Sequence, residues 1–389
     1  MKIMVFGMGL MGPTVAKDCA VDPKVEKIFG CDIDENKLKI ANDYVNSKKF
    51  EAVKVDLTDH KTLVKAMLGN DAVINCTTAN LSMGILKAAI ESRVNILDMA
   101  GGGYPQEGDI YKEVEKAGIT AIPGCGVDPG LIDILCGQGM GLMDEVDEVN
   151  FACGGLPKDP QPPLDYKIVF GGSRMPIRPG KVSMIVNGKL TELDRYTEVE
   201  SIFVDGYKNM EAFLDGFPSS LLKLCQERNV KNFKGKTIRY EGFVNKLMFL
   251  LELGIISNKP IIYKGKEIIP VDFFNEVIYP IIKFDEKGGD RDITILLVGV
   301  SGKSKSVNVK VTYDMVDIYD EEKRITSMAK TTGYTAAIVL RMLARGDIKQ
   351  KGIQWPVRVI RGQLFEELLR SLRERGVMVT ETVTKIRDI

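Results

Sequence analysis

Residues 7–12, Gly7-Met8-Gly9-Leu10-Met11-Gly12, have the spacing G-x-G-x-x-G between an apolar strand pattern, KIMVFG (2–7), and a helix-like stretch at 12–20. A pyrophosphate held there would need small residues. The first glycine makes the tight turn, the second lets backbone approach the phosphates, and the third lets helix and strand pack closely, the helix N-terminus facing the anion. Taken alone, the spacing also fits any strand-to-helix turn. Asp32 supplies the context: it ends the next strand pattern, KIFGCDI (27–33), 20 residues beyond Gly12, where a carboxylate reaches the adenosine ribose of a dinucleotide. A carboxylate accepts hydrogen bonds from a ribose diol and repels a 2′-phosphate, and Ile33 offers no arginine in its place. NAD is therefore favoured over NADP. Asp56, at the end of the third strand, is placed either to touch the adenine edge or to cap the next helix. Cys76, Thr77 and Thr78 end the fourth strand, at the carboxyl edge where open sheets bind ligands, and their backbone is expected along the path to the nicotinamide. No base neighbours Cys76 in sequence, which argues against a nucleophile there.

Acid–base chemistry has few candidates. The only histidine, His60, sits in a polar run, DLTDHKTL, that reads as the start of a surface helix. Proton transfer then falls to Asp, Glu, Lys, Cys or Tyr. Asp128 follows the last strand of the first domain in GCGVDPGLID (124–133); read from the residues alone, an Asp helix cap with proline at the first helical position is the favoured account. The seven cysteines (19, 31, 76, 125, 136, 153 and 225) include no C-x-x-C pair, so neither a metal centre nor a disulfide framework is signalled. Reduced thiols of a cytosolic protein are expected.

The elements that must position these groups follow from periodicity. Further strand patterns lie at 51–57, 71–78, 94–100 and 119–125, with helix-like stretches at 59–68, 81–92 and 106–117. That alternation means βαβ units and a doubly wound parallel sheet, an α/β architecture. Beyond about residue 130 the texture changes to longer strands, NFACGGL (150–156), YKIVFGG (166–172) and a hairpin turning at Asn187-Gly188. A second hairpin (292–316) is centred on Ser301-Gly302-Lys303, and helices are expected at 130–143, 242–254, 271–283, 326–345 and 363–375. This is a second, α+β domain with a mixed or antiparallel sheet. With 389 residues, two domains fit; 53 basic against 53 acidic residues argues against a nucleic-acid partner. The longest apolar stretch, LMFLLELGII (247–256), is too short to span a bilayer, and the N-terminus opens directly into a strand with no leader. A soluble, cytoplasmic protein with no membrane partner is expected.

Several motifs carry a resemblance. GVDPG (126–130), CGGLP (153–157), QPPLDYKIVF (161–170), KTIRYEGF (236–243) and MAKTTGYTAAIVLRML (328–343) resemble successive motifs of the saccharopine dehydrogenase-like family, which includes glutamate-forming saccharopine reductases and lysine 6-dehydrogenases. The resemblance implies a Rossmann domain over 1–128 completed by about 329–389. It also implies a substrate-binding domain over 129–328 that forms a homodimer contact. Asp128 and Cys153 would face the reacting carbon–nitrogen bond, and Arg239, with Tyr240 and Phe243 of the same run, would hold a substrate carboxylate. Read without the resemblance, Cys153 is a small core residue and Arg239 an ion pair at a strand end. The chain departs from the pattern at Glu241-Gly242-Phe243, at AGGGYPQEG (100–108) and at GGSRMPIRPG (171–180), which carries Arg174 and Arg178. The implied reaction is NAD-dependent oxidation of a carbon–nitrogen bond on the lysine skeleton. The alternatives are another carboxylated amine or polyamine on the same scaffold, or a protein that binds NAD without catalysis.

Overall fold

The computed structural model describes residues 1–105, 107–170, 172, 174–216 and 220–386. Six strands, β1 (Lys2–Phe6), β2 (Lys27–Asp32), β3 (Phe50–Lys54), β4 (Ala72–Asn75), β5 (Asn95–Asp98) and β6 (Thr120–Pro123), form an all-parallel sheet in the order β6-β5-β4-β1-β2-β3. The helices α1 (Gly12–Ala20), α2 (Glu35–Val45), α3 (His60–Met67), α4 (Ala79–Ser92) and α5 (Asp109–Ala117) cover both faces. Two apolar clusters result, one holding Ile3, Val5 and Ile28, the other Met4, Phe6 and Val73. Central strands buried on both sides read as unbroken apolar runs, which is why they were legible. Strand order reverses between β1 and β4, and that switch point opens a crevice at the carboxyl edge.

After β6 the chain runs through α6 (Leu131–Gly141), β7 (Glu145–Pro157), β8 (Lys181–Val186), β9 (Lys189–Asp194), β10 (Glu200–Ile202) and β11 (Met210–Leu214). It continues with α7 (Ser220–Glu227), β12 (Asn232–Tyr240), α8 (Phe243–Glu252), β13 (Ile261–Tyr263), β14 (Lys266–Ile268) and α9 (Pro270–Ile282). Last come β15 (Asp292–Ser304), β16 (Val307–Ile318), α10 (Ser327–Ala344), β17 (Gly352–Ile353), α11 (Pro356–Val359), α12 (Gln363–Glu374) and β18 (Thr380–Ile386). The second sheet has the order β10-β11-β12-β7-β15-β16-β18, with β8 on β12 and β9 on β8. It is mixed, because β12 runs parallel to β7 while the other pairs are antiparallel.

The Asn187-Gly188 turn forms as expected, both residues at positive φ between β8 and β9. The second hairpin turns later than its sequence suggested, at Lys305-Ser306. Gly302 serves instead at a bulge against β7, where a Cβ would lie 2.0 Å from the Glu145 carbonyl oxygen. Among the described residues of YKIVFGG no strand forms; Ile168 alone of them makes an isolated bridge, to Lys283. The C-terminal segment divides between the two sheets. α10 packs on α1 and β17 extends the parallel sheet beside β6, whereas β18 pairs with β16 and covers the edge of the second sheet.

Candidate active site

A cleft of about 680 Å³ runs along the carboxyl edge of the parallel sheet and is closed on its other side by β7, β12 and α10. Its nucleotide end is built by the glycine loop. Gly7 has φ +89, a conformation open to glycine. A Cβ on Gly9 would meet nothing within 4 Å, so its backbone is bare to a ligand. Gly7, Gly9, Leu10 and Met11 line the cleft, whereas Met8 is buried behind the loop. Gly12 acts by packing: a Cβ there would fall 1.9 Å from the Gly7 carbonyl oxygen. Gly12→Ala should therefore displace the loop and weaken nucleotide binding at least about 10-fold, measured by fluorescence titration, because backbone cannot yield as a side chain can.

Asp32 lines the same end. Its two carboxylate oxygens accept from the backbone N–H of Met8 (2.9 Å) and of Asp34 (3.0 Å), so it fixes the loop while lining the cleft. Asp56 also lines the cleft; it accepts from the Thr58 N–H and hydroxyl, and the next helix is capped by Asp59 instead. Lys37, on α2, joins them and was not foreseen, since α2 itself was not read from the sequence.

At the end of β4, Cys76, Thr77 and Thr78 line the cleft as expected. Buried Asn75 organises them: its Oδ1 accepts from the Thr77 N–H (2.9 Å) and hydroxyl (2.6 Å), and its Nδ2 donates to Asp98 (2.8 Å). Burial, and after it the Asp98 charge, pushes the Cys76 thiol well above its ordinary value, which argues against thiolate chemistry there.

Another part of the cleft wall is built from the segment between β6 and α6, from β7 and from β12. Asp128 does not cap α6; Gly130 occupies that position, and the half-buried Asp128 carboxyl faces the cleft. Burial pushes it up to about 6, Arg178 pulls it down, and Asp215 pushes it up again. Cys153 lies in β7 opposite Thr237 of β12 and also lines the cleft. Burial first, then Asp128, hold its thiol well above the usual range, so it is a neutral wall of the site. Asp133, one turn into α6, is buried with one oxygen lacking a hydrogen-bond partner. Burial and the neighbouring Asp128 raise it to about 8.

Arg239 is 6% exposed and reaches the cleft from β12. Its guanidinium lies over the Tyr166 ring at 5.0 Å and near Phe243 at 5.8 Å, and one Nη donates to the Ile238 carbonyl. Among the described residues it has no carboxylate within ion-pair distance, and its Nε has no hydrogen-bond partner. The strand-end ion pair is thus not what holds it; a buried cation left this way is costly unless an anion arrives. Phe243 stands behind Arg239 as an aromatic support. Tyr240 points to the other face of the sheet, its hydroxyl donating to the Pro157 carbonyl, and does not reach the cleft. The arginines of the divergent segment separate: Arg174 pairs with Asp272 at the surface, and Arg178 lines the cleft. No cluster of His, Cys, Asp and Glu suited to a metal occurs among the described residues, nor a helix long and apolar enough to cross a membrane. All seven cysteines are unpaired.

The family models "Saccharopine dehydrogenase NADP binding domain" and "Saccharopine dehydrogenase C-terminal domain" match residues 3–122 and 126–377. This chain belongs to the saccharopine dehydrogenase family. That family comprises oxidoreductases acting on CH–NH donors. Mouse mitochondrial alpha-aminoadipic semialdehyde synthase is 25% identical over 99% of this chain and 48% of its own length. Carboxyaminopropylagmatine dehydrogenase of Synechocystis is 24% identical over 90% of this chain and 91% of its own. The chain thus spans about half the length of the mammalian relatives it matches. Apo saccharopine dehydrogenase (L-Glu forming) of Saccharomyces cerevisiae shares the fold, with TM-score 0.79 at 18% identity over 98% of this chain and 99% of that one.

Proposed function

We propose that this member of the saccharopine dehydrogenase family oxidises a carbon–nitrogen bond on the lysine skeleton, with NAD as acceptor. The observation that carries the reading is Arg239, a buried guanidinium with no carboxylate partner among the described residues, which lines the same cleft as Asp128 and the glycine loop. A bound nicotinamide supplies the hydride acceptor; the chain supplies the rest. Arg239 takes a substrate carboxylate on its fork. Asp128 accepts the ammonium proton, since only a free lone pair lets hydride leave, and Cys153 fills the adjoining wall as a neutral thiol. Asp32 supports NAD, because it lines the cleft at the end of β2 beside the glycine loop, where its carboxylate would accept from a ribose diol and repel a 2′-phosphate. On this reading residues 1–128 with the returning C-terminal segment hold the nucleotide, and 129–328 hold the substrate and pair two copies.

A second reading, oxidation of another carboxylated amine, is favoured by the Synechocystis relative, which matches over nearly its whole length. The test is nucleotide reduction followed at 340 nm with L-lysine, saccharopine and carboxylated polyamines, using NAD and NADP separately. Turnover with lysine or saccharopine and a preference for NAD are expected. Turnover only with a carboxylated polyamine moves the assignment to the second reading. Tight nucleotide binding with no turnover on any amine would leave a non-catalytic nucleotide-binding protein.

A further inference from the structure

We propose that Asp98 and Asn75, neither of which lines the cleft, are positioning residues for the nucleotide: through Thr77 they brace the glycine loop at Gly7. The inference rests on the reading of this cleft as a dinucleotide site and goes beyond it by naming what holds one wall of that site. It starts from the end of β4, where every side-chain polar atom of the fully buried Asn75 has a partner.

Asn75 has one side-chain orientation open to it. Its Oδ1 takes the Thr77 N–H and hydroxyl, and its Nδ2 donates to Asp98 Oδ2 at 2.8 Å and to Ser82 Oγ at 3.2 Å. Exchanging oxygen and nitrogen would set Nδ2 against the Thr77 N–H, donor against donor. Asp98 enforces the orientation, because an ionised carboxylate only accepts. Its other oxygen accepts from the Ala100 N–H at 2.7 Å, and Ala100 lines the cleft. One fully buried carboxylate therefore ties the ends of β4 and β5, both at the cleft edge. Burial pushes Asp98 up to about 6, and hydrogen bonds from Asn75, Ser82 and Ala100 pull it back down. Those donors are all neutral, so its place is set by hydrogen-bond geometry.

The chain of contacts ends on the glycine loop. With the Thr77 hydroxyl fixed on Asn75 at 2.6 Å, the configuration at Cβ leaves the methyl one direction. That direction is toward Gly7: a Cβ there would lie 2.7 Å from Thr77 Cγ2 and 3.1 Å from the Cys76 carbonyl oxygen. The first glycine of the loop is thus backed by the Thr77 methyl, while Asp32 holds the Met8 N–H one residue further on. The loop is held from two sides by carboxylates on two different strands, β2 and β5. Of the two, Asp32 reaches the cleft and Asp98 stays behind it. A role confined to joining β4 to β5 would need no side chain reaching past them to Gly7, since the parallel ladder already joins them.

The test titrates the whole protein with NADH and, separately, NADPH by calorimetry, well below the melting midpoint, so that lost stability alone does not register. Asp98→Asn puts an N–H donor against either Asn75 or Ala100. It should weaken the nucleotide that binds the wild type by about 10- to 100-fold, the range of one unmet buried donor. Asn75→Asp sets two carboxylates face to face and should weaken it as much. The exchange variant, Asn75→Asp with Asp98→Asn, restores every donor–acceptor match and should return affinity to within about threefold of the wild type. Thr77→Ser keeps both hydrogen bonds to Asn75 and lacks only the methyl. It should lose about fourfold, the worth of one buried methyl, and tests the brace even where a buried variant unfolds. Unchanged affinity in a folded Asp98→Asn or in Thr77→Ser, or a folded exchange variant without recovery, would overturn the proposal. A wild type that binds neither nucleotide overturns it together with the dinucleotide reading. If affinity follows the network and yet no amine reduces the nucleotide, the positioning role stands and the dehydrogenase reading fails.

Discussion

Asp128→Asn should lower turnover by about 10²- to 10⁴-fold, the usual worth of a positioned general base, and leave nucleotide affinity within about twofold. Asparagine keeps the size and the burial but cannot accept the ammonium proton. The pH dependence gives a sharper signature. Burial raises the Asp128 carboxyl from its ordinary 3.8 to about 6. The base is the ionised form, whose fraction grows as pH rises, so kcat/KM for oxidation should climb through about pH 6 and flatten above it. In the Asn variant that limb should vanish. The raised value also bears on stability: the protonated form is favoured in the fold, so its contribution is full below pH 3.8 and is lost as pH rises through about 6. A variant with undiminished turnover, or with the acid limb intact, would remove Asp128 from proton transfer.

Much of this site was legible because its physics is local. Glycine spacing after a strand, and an acid at the end of the next one, are written within 32 residues. Buried central strands announce themselves as apolar runs. Elements with little apolar content did not. α2 has three buried residues, Leu38, Ala41 and Val45, and is stabilised at its start by Asp34, whose side chain accepts from the N–H groups of Asn36 and Lys37. Lys37 was lost with it. Side-chain direction was out of reach for the RYEGF run: Arg239 and Tyr240 alternate across the strand, so one enters the cleft and the other the opposite face. The Asp128-Pro129 pair looked like a helix start, yet Gly130, with φ +130, makes the turn and frees the carboxyl for the cleft. Asp215 and Arg178 lie 37 residues apart, and only the fold reveals that they share a site.

The least local feature yields the other large effect. Asp18, on α1 behind the glycine loop, accepts from Arg341 of α10 at 2.7 Å and from Arg375, just past α12, at 2.5 Å. Asp18 and Arg341 are each about 5% exposed, which takes this cluster out of the class of weak surface pairs. Asp18→Ala leaves both cations without that partner, Arg341 keeping a longer contact of 3.5 Å to Asp22. Breaking a buried pair from one side costs about 3–5 kcal/mol, and for a chain of this size that should lower the melting midpoint by about 5 °C. Arg341→Met should cost less, because Asp18 retains Arg375 and an unbranched apolar chain fills the space. That order, Asp18→Ala worse than Arg341→Met, separates an uncompensated charge from lost packing; the reverse order would sink the argument. Nucleotide affinity should fall along with stability in the Asp18 variant. The cluster ties the returning C-terminal helices to α1, and α1 sets the angle at which the glycine loop meets the phosphates.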